Sequence, residues 1–503
     1  MQYTEIHWSL QSAFPLLALL QLTPLVIMLL VLLQRSNKAG LRIAIFGALL
    51  EFTLAGYLYA GFELQQASMQ FAEFTPIFGP LSYHAAVDGV SVLFILLAAL
   101  LTLMVLIYGV ILIDPLEKQE LAAILIIQST LMTQFTNLNM LWFLLASMLQ
   151  LALVGYLLKK RSTSAETDLA LTRYFQFMAT GLLLLFMGIL MLGWNYAHIH
   201  GNWQFDLFDL MNAHIPASVR SSIFFLLFYG LAVRIPLFPM HGWFPLVAEH
   251  GTVAIAGVLL IGLKVGVFGL IRFVFPLVPE AIVQWQIYVV GFASAGIFYA
   301  ALLALLQVNL RRLLAFAVVS HTSIMIIGLF SLEHAAFQGS ILLAVNFGLA
   351  TAGLLFVTGM IYRRTRTMLL NKLGGLFDSI PLIGIGFLVA GLSIVDMPGT
   401  PGFDAAHLVL EAAIVRFGAL PSIVAALGNV VAAGFLLFAF QKVFLAPRNE
   451  QLPSLKVQGT APAERFLASS LILILLISGF YSEPWMELID ASLQPLSALF
   501  AQH

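Results

Sequence analysis

A succession of apolar runs of about twenty residues, from Phe14 to Ser478, constrains this chain more than any other feature. Each is long enough to cross a hydrocarbon layer roughly 30 Å thick as a helix. In lipid every backbone amide must find its partner within the chain, so such runs become helices. A β-barrel needs short alternating segments, and continuous Leu/Ile/Phe/Val runs are the opposite pattern. The expected fold is an all-α polytopic membrane protein. A balance of 61% hydrophobic and 9% charged residues over 503 positions, with a mean hydropathy of +0.99, is foreign to a water-soluble domain of this length. The first run, 14–34, is too long for a cleavable leader and lacks a basic start, so it reads as a retained span.

The runs fall at about 14–34, 41–62, 88–113, 121–137, 139–158, 169–194, 221–240, 252–275, 284–306, 313–330, 337–362, 380–402, 421–446 and 464–482, about fourteen transmembrane helices. Short cytoplasmic loops are enriched in Lys and Arg, which tests that count. Arg35, Lys38, Arg42, Lys118, Lys159, Lys160, Arg161, Arg173, Arg311, Arg312, Arg363, Arg364, Arg366, Lys372, Lys442, Arg448, Lys456 and Arg465 fall on one side, and Arg220, Arg272 and Arg416 on the other. One missed or invented span would scramble that parity. Both termini are then expected outside the cytoplasm, in a bacterial inner membrane. The longer non-cytoplasmic segments, Glu63 to Val87 and Asn195 to Val219, read as ordered surface segments or short amphipathic hairpins.

With no cysteine, thiolate-held iron–sulfur clusters, Cys-ligated zinc and disulfides are excluded. No cofactor, metal or catalytic redox site is expected, so any coupled reaction belongs to a partner. A formal charge of −1 gives no basic surface for nucleic acid, and no glycine-rich phosphate loop is present.

Two spans are interrupted by proline, at Arg234-Ile235-Pro236-Leu237-Phe238-Pro239 in the seventh and Pro398-Gly399-Thr400-Pro401-Gly402 in the twelfth. Five helices separate the two positions, an odd displacement that gives equivalent helices opposite orientation. Paired broken helices are what an inverted repeat around a central ion site would show, and simple proline kinks are the other reading.

Arg234 and Lys264 are the basic residues that fall inside spans away from their ends. Each costs about 2.5–3.5 kcal/mol at a helix centre, so both are expected to face protein or water. Lys264, in Gly262-Leu263-Lys264-Val265-Gly266, is the better proton carrier, because a buried ammonium releases its proton far more readily than a guanidinium. A permanent ion pair is the alternative. His241 and His250 bracket the connection after the seventh span, and His321 follows Ser320 in the tenth; each suits proton transfer or a packing role. Around the second break stand Asp396, Asp404, His407 and Glu411. If helix resumes after Gly402, the last three share a face, either lining a proton exit or forming a solvated surface. Glu51 is a lone acid in the second span.

Several motifs, in order over about Ser82 to Leu488, carry a resemblance. They are His84-Ala-Ala-Val-Asp88-Gly89-Val-Ser91, Arg173-Tyr174-Phe175, Pro236-Leu-Phe-Pro-Met-His241-Gly-Trp243-Phe-Pro245, Lys264 with Gly269 to Phe273, Gln307-Val-Asn-Leu-Arg-Arg312-Leu-Leu-Ala315 with Val319-Ser320-His321, and Leu373-Gly-Gly-Leu376 with Met397-Pro-Gly-Thr400. Together they resemble the antiporter-like membrane subunits of complex I and the Mrp antiporters, of the subunit M (chain 4) type of NADH:quinone oxidoreductase. The resemblance implies two inverted five-helix repeats with helices 7 and 12 broken. It divides the chain into 1–113 (helices 1–3), 114–275 (first repeat, helices 4–8), 276–446 (second repeat, helices 9–13) and 447–503 (helix 14 and tail).

In that family a glutamate on the fifth helix pairs with a lysine on the seventh, and protons pass by a lysine on the eighth to a residue on the twelfth. The eighth-helix lysine carries over onto Lys264, and the seventh-helix lysine is Arg234 here. The fifth-helix glutamate position holds Ser147, the twelfth-helix glutamate position Ala406, and an eleventh-helix histidine position Phe347. The implied role is a proton-translocating subunit working with other membrane subunits, and with a soluble catalytic subunit on the cytoplasmic side. The energy-coupling subunit of an inorganic-carbon uptake complex, and a scaffold that has lost conduction, are the competing readings.

Overall fold

The computed structural model describes residues 4–112, 115–160, 165–251, 264–447 and 459–501. Arg161, Gly262, Arg448 and Lys456, and the first half of the eighth span, lie outside them. The chain folds into α1 (Leu16–Leu32), α2 (Asn37–Ala60), α3 (Gly89–Gly109), α4 (Lys118–Thr136), α5 (Met140–Lys160) and α6 (Ala165–His200). The seventh helix, α7, comes in two pieces, Ala217–Ala232 and Phe244–His250. There follow α8 (264–277 in its described part), α9 (Pro279–Leu305), α10 (Leu310–Leu329) and α11 (His334–Thr365). The twelfth, α12, is again in two pieces, Pro381–Ile394 and Gly402–Phe417, before α13 (Ala419–Phe440), α14 (Pro462–Phe480) and α15 (Glu483–Ala498).

Among the described residues nine helices are long and apolar enough to cross a membrane, and three shorter helices are apolar: α1 and the first pieces of α7 and α12. α4 falls short on hydropathy because Gln128, Ser129, Thr130, Thr133 and Gln134 stand in it, facing protein rather than lipid. The central helices are α3, α10 and α11, with 83%, 94% and 94% of their apolar windows buried, whereas α14 has 28% and leaves most of its surface uncovered by the chain.

At one end the helices carry a small sheet in the order β1 (Glu5–His7), β2 (Met69–Phe78), β3 (Leu81–Val87), with β1 parallel to β2 and the β2–β3 hairpin antiparallel. The hairpin lies within the segment read as a non-cytoplasmic surface element. α1 begins after Pro15, which offers no side-chain cap, and Glu73 of β2 does the capping from a distance: its carboxylate accepts from Leu17 N (2.9 Å) and Ala18 N (3.0 Å). Across the sheet, His84 is clamped between Asp206 Oδ2 and Glu5 Oε1, each 2.7 Å from a ring nitrogen. Burial disfavours the charged imidazole, but the hydrogen bonds to Asp206 and Glu5 outweigh it and push its pKa up to about 10.

Because the folded value lies above the ordinary 6.5, the stabilisation is fully present below that pH and is lost as pH rises through about 10. Proteolysis at the hairpin should therefore accelerate between pH 7 and 10, and His84→Gln should make it faster throughout and flatten that dependence. An unchanged pH profile in the variant would assign the effect elsewhere.

Residues expected on one side do meet at one end. Lys118 Nζ donates to Gln34 O (2.7 Å), Lys160 pairs with Glu117 (2.9 Å), and Arg312 faces Glu249 (3.5 Å). Buried Glu464 of α14 holds Arg363 and Arg364 of α11 at 3.3 and 2.6 Å. Arg220–Glu280, Arg272–Asp88 and His334–Asp490 belong to the hairpin end. There α15 packs across α3 and α11, so closely that a Cβ on Gly89 would stand 1.7 Å from Leu488 O. Gly89 is the one residue type that admits this approach.

The same backbone pattern occurs twice. Asn139 caps α5, Met140 N donates to Phe205 O, and Leu207 N to Leu138 O. Asn309 caps α10, Leu310 N donates to Met368 O, and Leu370 N to Val308 O. In both, the start of one helix is stitched to the chain just beyond the helix that follows it, after α6 in one case and after α11 in the other.

Candidate functional site: a buried polar line between two broken helices

The two breaks share a register. Arg234 stands two residues before Pro236, with Pro239 three further on, and Asp396 two before Pro398, with Pro401 three further on. Proline removes a donor and clashes with the preceding turn, so each segment leaves its helix at the same place relative to its ionisable residue.

In the first break Arg234 is buried, and its Nη1 donates to Ser147 Oγ at 2.5 Å while Nη2 donates to Gln150 Oε1. Gln134 Nε2 donates to Ser147 Oγ (2.7 Å), and Gln150 Nε2 to Gln134 Oε1 (2.6 Å) and Thr130 Oγ1 (3.0 Å). The guanidinium is thus solvated by neutral groups of α4 and α5, with no carboxylate at ion-pair distance among the described residues. Ser147, where the resemblance expects a glutamate, occupies the pairing position without supplying the charge.

Lys264 is 5% exposed and has no hydrogen-bond or ion-pair partner among the described residues, so the permanent-ion-pair alternative finds no support there. Its helix is drawn against the first break by Gly266, where a Cβ would meet Ile235 Cγ1 at 2.5 Å and Arg234 Cβ at 3.3 Å. On its other side Lys264 Cε lies 3.3 Å from the position of a Cβ on Gly348 of α11. The neighbouring Phe347, where the resemblance expects a histidine, packs its ring 5.3 Å from that of His321. His321 is 1% exposed with neither ring nitrogen bonded among the described residues.

In the second break Asp396 adopts a left-handed φ of 55° and is buried. Its Oδ2 accepts from Asn429 Nδ2 of α13 (3.2 Å), and its Oδ1 sits where a Cβ on Gly402 would be 2.0 Å away. Asn346 of α11, next to Phe347, donates to Ser393 O (2.8 Å) and accepts from Ser393 Oγ (2.5 Å). α11 therefore touches Lys264, His321 and the second break through three successive residues, Gly348, Phe347 and Asn346.

The remaining candidates lie off this line. His241 is buried beyond the first break among Phe238, Tyr299 and Phe316. His250 sits 3.9 Å from Glu249, the acid that Arg312 also faces. Asp404 accepts from Ser482 Oγ (2.7 Å), while His407 and Glu411 are 76% and 69% exposed and 3.9 Å apart. The three do share a face of the second α12 piece, but at His407 and Glu411 it looks outward, and none of the three is bonded to Lys264 among the described residues. Ala406 is buried and offers no titratable group. Glu51 is buried in α2, and among the described residues neither of its oxygens is bonded and no hydrogen bond or ion pair connects it to the line. Gln134, Gln150, Asn346 and Asn429 were not singled out from sequence, although each is an amide inside an apolar run; Arg272, assigned by sequence only to a side, is buried against Asp88.

These features define a class: a multi-pass helical membrane protein with two broken helices facing a common line of buried ionisable side chains. Residues 136–429, more than half of the chain, match the model of the NADH:quinone oxidoreductase/Mrp antiporter transmembrane family, and the chain belongs to that family. NADH-quinone oxidoreductase subunit M of Rickettsia prowazekii is 27% identical over 86% of this chain and 88% of its own length. Its counterpart in Escherichia coli K12 is 27% identical over 88% and 89%. Among solved structures, a chain of respiratory complex I from Thermus thermophilus superposes with a TM-score of 0.84 at 26% identity, covering 96% of this chain and all of that one. A chain of the Mrp complex from Dietzia sp. DQ12-45-1b shares the fold, with a TM-score of 0.82 at 17% identity over 97% and 98%. These structural neighbours are subunits of multisubunit membrane complexes.

Proposed function

We propose that this chain is the proton-translocating subunit of a complex I-like or Mrp-like assembly, with Lys264 as its central relay and His321 and Asp396 as the groups beyond it. The observation that carries this is Lys264 itself: a buried amine with no carboxylate partner among the described residues, held between the two breaks. An ammonium kept in such a place is costly unless its charge is used. Arg234 supplies a fixed positive charge at the near end, since a guanidinium does not release its proton on a working timescale. The similarity to subunit M and to Mrp chains supports the same role, and nothing in it adds weight to inorganic-carbon uptake.

The remaining assignments follow from that reading. The repeats are 114–275 and 276–446, supported by the shared register of the breaks and the doubled stitch at Asn139 and Asn309. Both termini lie outside the cytoplasm of a bacterial inner membrane, supported by the end at which Lys118, Lys160, Arg312 and Arg364 gather. A soluble catalytic partner docks on that basic, cytoplasmic side.

Purification through a tag on this chain, from membranes in mild detergent, should bring down further membrane subunits and a soluble redox or hydrolytic partner. Vesicles holding that assembly should build a proton gradient, read by a quenched acridine dye, when the partner's substrate is added. A chain that purifies alone from such membranes, or an assembly that turns over without moving protons, would reject the reading.

A further inference from the structure

At the hairpin end a cleft of about 480 Å³ opens among the segment after α6, the α8–α9 junction and the tail. Its wall is half polar in character, with His214, Arg220 and Glu280 at the mouth. Below it a void of about 30 Å³ shares Phe208, Met211 and Pro276 with the cleft and reaches Asp88 and Arg272. There Arg272 Nη2 donates to Asp88 Oδ1 (2.5 Å) and Ser91 Oγ (3.1 Å), while Asp88 Oδ1 also caps α3 by accepting from Ser91 N (2.9 Å).

Arg272 stands in a π-helical turn, Leu270–Val274, a local expansion that recurs at functional positions in helices. Its guanidinium also lies 5.2 Å from the ring centre of Phe268. Phe268 is four residues before Arg272 and four after Lys264, so it stands on α8 between them. Phe94 of α3 and Phe135 of α4 close on it, with ring centres 5.8 and 5.1 Å away. From the outside inward, the order is an open cleft with a half-polar wall, a buried ion pair, a cluster of three aromatic rings, and Lys264.

We propose that this is the non-cytoplasmic access route to Lys264, closed by two gates in series: the Asp88–Arg272 ion pair and the Phe94–Phe135–Phe268 constriction. The ion pair gives the route a polar latch that a shift of α8 releases. The rings below give a segment that conducts only when wetted, as apolar constrictions do in channels. With both closed, Lys264 is cut off from that side, which a translocating cycle needs while the opposite side is open. The inference rests on the conduction reading.

The chain has no cysteine, so single cysteines report access cleanly. In membranes carrying the assembled full chain, Met211→Cys should react quickly with a charged, impermeant methanethiosulfonate from one side, which defines the side of the cleft. Lys264→Cys should react at least about tenfold more slowly from that side. Adding Phe268→Ala, or separately Asp88→Asn, should raise its rate at least about tenfold from that side alone. Two variants touching different gates guard against one that fails to fold. A Lys264→Cys rate unchanged by both, or raised equally from both sides, overturns the route. Labelling measures water access and not transport, so the route can fail while Lys264 remains essential for coupling, and the conduction reading can fail while the labelling pattern holds.

Discussion

Lys264→Ala should leave the assembly intact and lower proton translocation per turnover by about a hundredfold, the scale expected when a transferring acid–base group is removed. The side chain makes no hydrogen bond or ion pair among the described residues, so its removal breaks no network that holds α8 in place. Gly266 and Gly348 keep the helix contacts on both sides of it. Two further substitutions separate titration from charge. Lys264→Arg keeps the positive charge but not a proton that leaves readily, and should be as defective as alanine. Lys264→Met keeps the volume and removes the charge, and should fail in the same way with an unchanged unfolding temperature. Full coupling in the arginine variant would make the residue an electrostatic fixture and remove it from the relay. Dye quenching and substrate turnover, measured on the same vesicles, give the ratio directly.

Lys264 could be chosen from sequence because an ammonium inside an apolar run is costly wherever its helix points. The breaks were legible for a similar reason: Pro236 with Pro239, and Pro398 with Pro401, forbid a regular helix locally. What stayed hidden depends on how helices are rotated against one another. Spacing alone places Asp404, His407 and Glu411 on one face, yet cannot say whether that face looks inward, and His407 at 76% exposure shows that it looks out. The Arg234–Ser147–Gln134–Gln150 network joins three helices, and although Arg234 stands out alone, Gln134 and Gln150 each read as an ordinary polar residue until the helices are packed. Asp88 and Arg272 are 184 positions apart, so nothing local links them. A hairpin was one of the readings of the Glu63 to Val87 segment, but its strands could not be bounded, because Met69 to Phe78 is buried in its first half and exposed in its second without strict alternation.

If Ser147 and Ala406 hold the places of the family acids, as the resemblance implies, weight shifts to the acid that the second break does contain. Asp396→Asn should lower translocation by about a hundredfold while leaving the fold unchanged. The substitution is mild on every structural count. Its left-handed φ of 55° is a conformation that asparagine accepts as well as aspartate. The amide oxygen can still accept from Asn429 Nδ2, and the side chain keeps the volume that Gly402 leaves for it. What disappears is the ability to bind and release a proton, so a defect in this variant belongs to titration. If Lys264 and Asp396 act in one series, the double variant Lys264→Ala with Asp396→Asn should be no slower than the worse single one, because an interrupted path is not interrupted further. A double variant whose rate falls by the product of the two defects would place the residues on separate paths. Normal translocation in Asp396→Asn alone would mean that the second break carries water or structure but no proton, and that the line ends at His321.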